Sequence, residues 1–337
     1  MPGNEVQSVI SGTIGAASFT DEDIIANSLS VTMSTCSKGN FTFGTFNAAV
    51  LKMSLRYSGA APDGARIVLQ KNSTPLGTYW VDDSKTKRRG GILHVVAVDA
   101  ASLFDIEIPS SIRQQTYTAG TALTAACTAA GVTFGGIGSG LPNQNVTLAL
   151  TSASVQTYRD LVMWVAQLCA GNAVINRNGS LEIRPAMYGV GDSSSYSSDA
   201  SNRSDIEFAD TRTWVKYMSA YSGRRVKMYQ AVSDPESSEA RPGSIALPLN
   251  PLLDGKTETE CDTINCAIRD AVGSLVRDIT AKCVDDPSVS LGDMANFTGG
   301  RTHSRAGGAL GVVTGITWRF RGVTTVTCTA PTSVKEV

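Results

Sequence analysis

A helix and a hairpin follow one another directly in residues 157–184, which read TYRDLVMWVAQLCAGNAVINRNGSLEIR. Thr157 and Asp160 have the spacing of a capping box, in which two side chains bind each other's backbone amides at the start of a helix. The apolar residues after this cap recur at helical spacing and are Leu161, Trp164, Val165 and Leu168. Asn178 and Gly179 predict a tight turn with positive φ angles between two short strands. The stretch therefore predicts an amphipathic helix next to a β-hairpin.

Two more helices are predicted, one on each side of this unit. The first covers residues 121–130, and Gly131 suits the left-handed conformation that ends many helices. The second begins at a capping box formed by Thr257 and Glu260, and Gly273 is placed to end it. Its apolar face consists of Ile264, Ala267, Ile268 and Ala271.

Most of the remaining sequence has the pattern of short β-strands separated by Gly, Pro, Asn and Asp. In the N-terminal part the predicted strands are 29–33, 41–43, 49–57, 65–69, 77–81 and 92–98. In the C-terminal part they are 215–221, 225–229, 278–284, 311–320 and 324–329. Evenly spaced short strands with turns between them predict a barrel or a sandwich. The predicted fold class is therefore mainly β with α+β insertions.

This pattern divides the chain into four regions. Residues 1–105 form a first β domain, and residues 106–188 form an inserted α+β domain with two helices and a hairpin. Residues 189–204, GVGDSSSYSSDASNRS, carry too few apolar side chains to pack and predict a surface linker or mobile loop. Residues 205–337 form a second β domain with one helix.

The composition of the 337 residues excludes several classes of protein. A hydrophobic fraction of 42% with only 18% charged residues does not fit a disordered chain. The most apolar run, Leu161–Gly171, is much shorter than the ~20 residues that cross a bilayer, so we predict no membrane insertion. The first residues, MPGNE, do not have the pattern of a signal peptide. Folding in the cytosol would keep the seven cysteines as thiols.

The charged residues are nearly balanced, with 29 Lys and Arg against 30 Asp and Glu. Binding of nucleic acid through its phosphates needs a concentrated basic face, and the total charge predicts none. The one basic cluster is KTKRR at 85–89, which lies between two predicted strands. It is either the solvated tip of a hairpin or a surface that docks on an acidic partner. The candidate interaction residues are Lys85, Lys87, Arg88 and Arg89.

Residue types that support catalysis or metal binding are scarce. The only histidines, His94 and His303, lack the companions that a Ser-His-Asp triad or a histidine metal site requires. Cys261 and Cys266 are five positions apart on a predicted helix, or about 140° around its axis. We therefore predict that these two cysteines pack as small apolar residues and do not bind zinc.

The acidic pairs and one glycine-rich segment also have a structural interpretation. Asp82-Asp83 and Asp285-Asp286 are predicted to end strands or form turns, because adjacent side chains of an extended chain point to opposite faces. The segment GGIGSG at 135–140 is not followed by the helix that a dinucleotide-binding loop requires, so it is predicted to be a flexible loop. We predict no catalytic residue, no metal ligand and no cofactor site.

Several short motifs are distributed along nearly the whole chain. In the N-terminal half they are FTDEDIIANSLSVT at 19–32, FTFGTF at 41–46, PLGTYWV at 75–81 and VAVD at 96–99. The middle contributes the helix and hairpin of 157–184, and the C-terminal half contributes LNPLL at 249–253 and DPSVSLGDM at 286–294. Together they resemble the central hub proteins of bacteriophage tails and related contractile injection machines. Each motif is structural, and none is a catalytic signature.

The resemblance implies two tube-type β-barrel domains per chain, joined by α+β elements. Three such chains would place six barrels around one axis, as a homotrimer that forms a pseudo-hexameric ring. The implied role is to adapt the six-fold tail tube to a three-fold spike or tip. The implied partners are the tube ring, the spike or tip, and the tape measure and baseplate wedge proteins, with DNA only as passing cargo. The implied location is the virion tail, assembled in the bacterial host cytoplasm.

Two other functions remain as alternatives to a non-enzymatic tail hub. One is a tail-associated cell-wall hydrolase or peptidase, which would need convergent carboxylates or a metal site. The other is a receptor- or carbohydrate-binding tail protein. Such a protein usually exposes several aromatic platforms, for which four Trp and a 7% aromatic content offer little material.

Overall fold

The computed structural model of the chain describes residues 9–36, 41–59, 64–113, 115–187, 195–198, 203–209, 214–220, 226–230, 244–247, 250–272, 275–284, 288–297 and 309–332. Strands predominate in these ranges, together with four α-helices and two short 3-10 helices. The prediction of a mainly β fold with α+β elements is therefore confirmed. None of the helices in these ranges is both long enough and apolar enough to cross a membrane.

Eight strands lie in the N-terminal third of the chain. They are β1 (Ile10–Ile14), β2 (Ala17–Thr20), β3 (Ser30–Ser34), β4 (Val50–Arg56), β5 (Arg66–Lys71), β6 (Thr74–Val81), β7 (Lys87–Arg89) and β8 (Ile92–Asp99). A 3-10 helix follows at Ala100–Phe104. Five of the six strands predicted here are confirmed as β3, β4, β5, β6 and β8.

The middle of the chain alternates helices and strands. Its elements are α1 (Ser110–Arg113), β9 (Thr116–Tyr117), α2 (Ala119–Ala130), β10 (Thr133–Ile137), β11 (Leu148–Ala149), α3 (Tyr158–Leu168), β12 (Gly171–Ile175) and β13 (Ser180–Pro185). The predicted helix at 121–130 is α2, and the predicted helix and hairpin of 157–184 are α3, β12 and β13.

The C-terminal part returns to strands. Its elements are β14 (Ser195–Ser198), β15 (Arg203–Ala209), β16 (Trp214–Ala220), β17 (Val226–Gln230), β18 (Ser244–Leu247), a 3-10 helix (Pro251–Leu253), α4 (Glu258–Val272), β19 (Leu275–Val284), β20 (Met294–Phe297), β21 (Ala309–Arg319) and β22 (Val323–Thr332). The five strands predicted here are confirmed as β16, β17, β19, β21 and β22.

The helix ends follow from local sequence. At the start of α3, Asp160 N donates to Thr157 Oγ1 at 3.2 Å, and Thr157 N donates to Asp160 Oδ2 at 2.9 Å. At the start of α4, Glu260 N donates to Thr257 Oγ1 at 3.3 Å, and Thr257 N donates to Glu260 Oε2 at 2.8 Å. Gly131 ends α2 in the left-handed conformation with φ of 66°. Both capping boxes and the glycine stop are therefore confirmed.

Fourteen strands form one large sheet in which antiparallel pairs predominate. The main order is β15-β19-β22-β21-β3-β4-β8-β6-β5-β1-β2, with β20 beside β21, β14 beside β20 and β7 beside β8. The N-terminal and C-terminal parts of the chain meet inside this sheet, where β21 pairs with β3 over Gly315–Arg319 and Ser30–Ser34. In the described part of the chain the order runs from β15 to β2 without closing into a barrel.

Two hydrophobic clusters hold the elements together. One packs against the large sheet and contains residues from both the N-terminal and the C-terminal part of the chain. Its members include Leu51, Leu55, Leu93, Ile279, Phe297 and Val326. The other surrounds α2 and α3 and includes Leu123, Leu161, Val165, Leu252, Ile264 and Ile268. Each cluster therefore combines residues that are distant in the sequence.

The LNPLL motif fixes the C-terminal part of the chain onto α3. Asn250 Nδ2 donates to the carbonyl oxygen of Trp164 at 2.8 Å and to Oε1 of Gln167 at 3.1 Å. Leu252 and Leu253 are buried in the cluster around α3. The motif is therefore a docking turn, in which one side chain satisfies a helix carbonyl while two leucines enter the core.

Residues 41–43 do not form the strand that their alternation predicts. Phe41 and Phe43 are buried in the cluster around α3, but their backbone joins no strand ladder. The segment continues along the start of β12, where Gly44 N donates to the carbonyl oxygen of Gly171 at 2.8 Å. The prediction is wrong because alternating burial arises here from packing under a helix and not from a sheet.

The glycine-rich segment 135–140 is only partly a loop. Residues 135–137 belong to β10, which pairs in parallel with β13. A Cβ on Gly135 would lie 2.7 Å from Cγ of Glu182 and 3.2 Å from the carbonyl oxygen of Leu181, so a side chain there would force its neighbours on β13 to shift. The prediction of a flexible loop is wrong over these residues, because glycine meets a packing requirement.

Two other local predictions need correction. In the hairpin turn Gly179 has φ of 82°, whereas Asn178 has no positive φ, because Asn176 Oδ1 instead accepts from the amides of Asn178 and Ser180 at 3.0 Å. Within the predicted linker 189–204, residues 195–198 form β14 beside β20, and Arg203 and Ser204 begin β15. Residues 189–194 and 199–202 lie outside the described residues.

Candidate interaction surface on the large sheet

The basic cluster 85–89 lies between β6 and β8, and its residues occupy two different structures. Lys85 lies in the turn after β6, whereas Lys87, Arg88 and Arg89 form β7, which pairs with β8. The hairpin turn itself is Gly90-Gly91, with φ of 54° and 79°. The cluster is exposed as predicted, but most of it is a strand and not the tip of a hairpin.

Two of the four predicted interaction residues have partners within the chain. Lys85 Nζ is 2.7 Å from Oδ2 of Asp82, and this hydrogen bond, with that from Ser84, holds the pKa of the Asp82 carboxyl below its usual value. Arg88 donates to the carbonyl oxygens of Tyr57 and Gly59. Lys85 and Arg88 therefore support the local fold. Docking of the four residues on an acidic partner stays a prediction.

The other two residues lie on one face of the sheet with cations from neighbouring strands. Lys87 is opposite His94 on β8, and His94 is opposite Ser54 on β4. One step along, Arg89 is opposite Ile92, which is opposite Arg56. Directly paired residues of adjacent strands share a face, with Cβ atoms about 5 Å apart. The hairpin cations and those of β4 therefore form one group.

The same face continues across the junction of the two chain halves. Lys52, two residues before Ser54, is opposite Ser30 on β3, and Ser30 is opposite Arg319 on β21. Alternate residues of a strand point to the same side of a sheet. We call the set Lys52, Arg56, Lys87, Arg89 and Arg319 the cationic face.

All five cations of the cationic face are exposed, as is His94 beside them. None forms an ion pair with a carboxylate of a described residue, although Arg56 Nη1 donates to the backbone carbonyl of Glu22 at 2.9 Å. The carboxylate nearest in register is Asp82, whose backbone amide bonds to the carbonyl of Val96 and whose side chain is paired with Lys85. The face therefore presents positive charge that the described chain does not neutralise.

Sequence reasoning found Lys87 and Arg89 but missed the other three members. Lys52 and Arg56 flank Ser54 with strict alternation in the predicted strand 49–57, which was a signal that they share one face. Arg319 could not be found in this way, because only the pairing of β3 with β21 brings it near Lys52.

A cleft lies where β6, the hairpin of β12 and β13, and the loop before β20 meet, and Asp99 and Glu182 are among its lining residues. Asp99 Oδ1 accepts from Ala101 N at 3.0 Å and so caps the 3-10 helix. Glu182 accepts from Asn176 Nδ2 and from Arg184 Nε, each at 2.6 Å. Both carboxylates of the cleft therefore have structural partners.

Burial raises the pKa of Asp99 from 3.8 to about 6, against the opposing hydrogen bonds from the backbone of Ala49 and Ala101. A carboxyl whose pKa is raised by folding stabilises the fold at low pH, and this stabilisation is lost as the pH rises through about 6. From about pH 4 to about pH 7, we expect the unfolding free energy to fall by about 2 kcal/mol relative to Asp99→Asn, which stays neutral. Urea unfolding measures this difference, and an identical pH dependence of the two proteins would contradict it.

The histidines and cysteines take structural places where the structure describes them. His94 Nδ1 lies 2.9 Å from Ser54 Oγ, whereas His303 lies outside the described residues, as do Asp285 and Asp286. None of the seven cysteines forms a disulfide; Cys261 is buried in the core, and Cys266 is only half-buried. In the described part of the chain, no group of three or more His, Cys, Asp or Glu side chains could hold a metal ion.

No protein-family model matches the chain, and no curated protein matches its sequence. Solved structures share its fold. A tail protein from Neisseria meningitidis MC58 superposes with a TM-score of 0.63 over 96% of this chain and 96% of that chain, at 11% identity. The 43 kDa tail protein of prophage MuSo2 from Shewanella oneidensis gives 0.62 over 96% and 98%, also at 11% identity.

A third structure, the prophage tail protein gp18 from Listeria monocytogenes EGD-e, gives a TM-score of 0.52 over 98% of this chain and 95% of that chain, at 11% identity. The chain therefore has the fold of phage and prophage tail proteins over nearly its whole length. This finding confirms, for the fold, the resemblance that the sequence motifs suggested.

Proposed function

We propose that the protein is a structural, non-enzymatic component of a phage tail or of a phage-derived injection particle, and that it acts there as the central hub of the baseplate or tail tip. The observation that carries this proposal is the fold shared with tail proteins over 96% of the chain. The match extends over both halves of the large sheet and the α+β region between them. The proposal therefore applies to the chain as a whole.

The proposed assembly is a homotrimer in which each chain contributes two tube-type halves, one on each side of the pairing between β3 and β21. Three chains then place six similar units around one axis, so that one side of the ring fits a six-fold tail tube and the other a three-fold spike. The proposed units are residues 1–105 and 205–337, with 106–188 as the α+β domain and 189–204 as the connection.

The ends of the large sheet support a ring. Among the described strands, β2 pairs only with β1, and β15 pairs only with β19. Unpaired strand edges invite uncontrolled association, and pairing with another copy is one way to cover them. A contact between β15 of one chain and β2 of the next is heterologous, and three such contacts close a ring. We propose these two edges as the subunit interface.

The partners proposed for this ring are the tail tube protein, the spike or tip protein, and the tape measure and baseplate wedge proteins, with the genome as passing cargo. The proposed location is the virion tail, after assembly in the host cytoplasm.

A non-enzymatic role is supported by the structural partners of the cleft carboxylates, Asp99 and Glu182. A cell-wall hydrolase would instead need two carboxylates directed at one sugar bond.

Native mass spectrometry of the purified protein, and of particles that contain it, tests the assembly. We expect a species of three 35.4 kDa chains, either alone or on addition of the tube protein. A chain that stays monomeric in particles, or one that degrades cell-wall material as a monomer, would contradict the hub role. Replacement of the exposed Ser18 of β2 by lysine should weaken the trimer while leaving a folded monomer, because a charged side chain on an edge strand opposes pairing with another strand.

A further inference from the structure

We propose that the cationic face binds the phosphate backbone of double-stranded DNA, without sequence preference. The proposal goes beyond a passive conduit, because it gives the chain a surface that contacts the nucleic acid. The arrangement of cations on the sheet supports this binding. Only its biological setting, contact with a genome in transit, rests on the function proposed above.

The dimensions of the cationic face fit several phosphates at once. Its members lie on β7, β4 and β21, and the intervening strands β8 and β3 make five adjacent strands in all. Neighbouring strands are ~4.8 Å apart, so the face is on the order of 20 Å wide. Duplex DNA carries one charge per ~1.7 Å of axis with both strands counted, so about twelve phosphates lie within such a width. The five cations can therefore pair with phosphates in many positions of the duplex along the face.

The side chains between the cations also suit a phosphate surface. Ser30 and Ser54 lie in register with the cations, and Thr32 and Thr317 form the next cross-strand pair along β3 and β21. Serine and threonine hydroxyls are common donors to phosphate oxygens, and such contacts carry no sequence information. The face therefore combines cations with neutral donors.

An acidic protein is a poorer match to the same surface. Tight protein interfaces depend on buried aromatic or aliphatic anchors surrounded by a polar rim. The aliphatic residues that lie in register among the cations, Ile92 and Val96, are half-buried in the sheet, and the aromatic residue on this face, Trp80, lies in the neighbouring strand β6. The cationic face thus has charge and hydroxyls at its centre where a protein interface would have an apolar core.

The net charge of −1 does not conflict with this proposal, although it explains why composition did not predict a basic face. Total charge averages over the whole surface, whereas phosphate binding depends on the local concentration of cations. Five exposed cations support weak, salt-sensitive binding. Such binding lets a protein slide along DNA and does not hold it in one place.

Fluorescence anisotropy with a labelled random-sequence duplex and the full-length protein tests the proposal at several salt concentrations. We expect binding at low salt, with a negative slope of log affinity against log salt. The double variant Lys87→Gln/Arg89→Gln should bind at least about tenfold more weakly at the lowest salt, and its slope should be smaller by about 2. Both side chains are exposed on β7, so circular dichroism should show an unchanged fold.

The matched control is Arg113→Gln/Lys256→Gln, which removes the same charge from two residues outside the large sheet, one on α1 and one just before α4. We expect this variant to retain affinity within about twofold, because phosphate binding depends on the local concentration of cations. Absence of salt-dependent binding, or equal losses in both variants, overturns the proposal. So does tighter binding of polyglutamate than of DNA, which would identify an acidic protein as the partner. None of these readouts depends on trimer formation, so the hub role can fail or hold separately.

Discussion

Replacement of Arg159 by alanine should lower the unfolding free energy by about 3 kcal/mol, because it leaves two backbone carbonyls of the N-terminal β region without this donor. Arg159 lies on α3 and binds Asp105 through Nε at 2.5 Å and through Nη2 at 3.0 Å. Its Nη1 donates to the carbonyl of Phe46 at 2.8 Å, and its Nη2 donates to that of Ala101 at 2.6 Å. Urea unfolding of the two proteins measures the difference.

The Arg159 side chain holds three segments together: α3, the 3-10 helix after β8, and the chain that leads into β4. Its Cζ also lies 5.4 Å from the centre of the Phe46 ring, which adds a cation–π contact. The guanidinium side chain is 21% exposed, whereas the Asp105 side chain is 56% exposed. Most of the expected loss therefore comes from the buried carbonyls and the ring, and little comes from the ion pair.

Asp105→Asn is the matched control for this interpretation. It weakens the exposed ion pair but leaves both carbonyl contacts of Arg159 in place, so we expect a loss below about 1 kcal/mol. Equal losses for Arg159→Ala and Asp105→Asn would contradict the assignment, because the ion pair would then account for the whole effect.

The parts of the fold that could be predicted from sequence are those fixed by neighbours within a few residues. The capping boxes at Thr157 and Thr257 and the glycine stop at Gly131 are local arrangements, and each forms as predicted. Period-two alternation in long segments such as 49–57 also predicts strands well, because one side of each strand must be buried.

The parts that could not be predicted depend on which segment lies beside which. The pairing of β3 with β21 joins residues almost 300 positions apart, and no local sequence pattern predicts it. The place of Arg319 in the cationic face is a direct consequence, since Arg319 reaches Lys52 only through Ser30. Gly135 shows the converse, because a residue that usually marks a loop lies here inside a strand, where a side chain would press against Glu182.

Replacement of Gly44 by alanine should cost about 3 kcal/mol or more of unfolding free energy. Gly44 has φ of 71°, a left-handed conformation that costs an alanine about 1–2 kcal/mol. Its new Cβ would also lie 2.6 Å from Cβ and 3.0 Å from Cα of Gln167, on the last turn of α3. Relief of such overpacking typically adds about 1–3 kcal/mol. Thermal and urea unfolding of the purified variant measure the total.

The clash at Gly44 cannot be relieved by a side-chain rotation, because one of the atoms approached is the backbone Cα of a buried helix residue. The segment itself is held in place, since Gly44 N donates to Gly171 O at 2.8 Å and Thr45 N donates to Asn172 Oδ1 at 3.1 Å. Either α3 or the start of β12 must therefore move. Both carry the core into which Phe41 and Phe43 pack.

Gly179→Ala separates the two contributions to the cost at Gly44. Gly179 has a similar φ of 82°, but a Cβ there would meet no atom within 4 Å. Its substitution should cost only the conformational part, about 1–2 kcal/mol, so the difference between the two variants measures the steric part. If the two alanine variants lose equal stability, then α3 can shift freely against segment 41–46. That outcome would disprove the tight contact on which the junction between the first sheet strands and the α+β region depends.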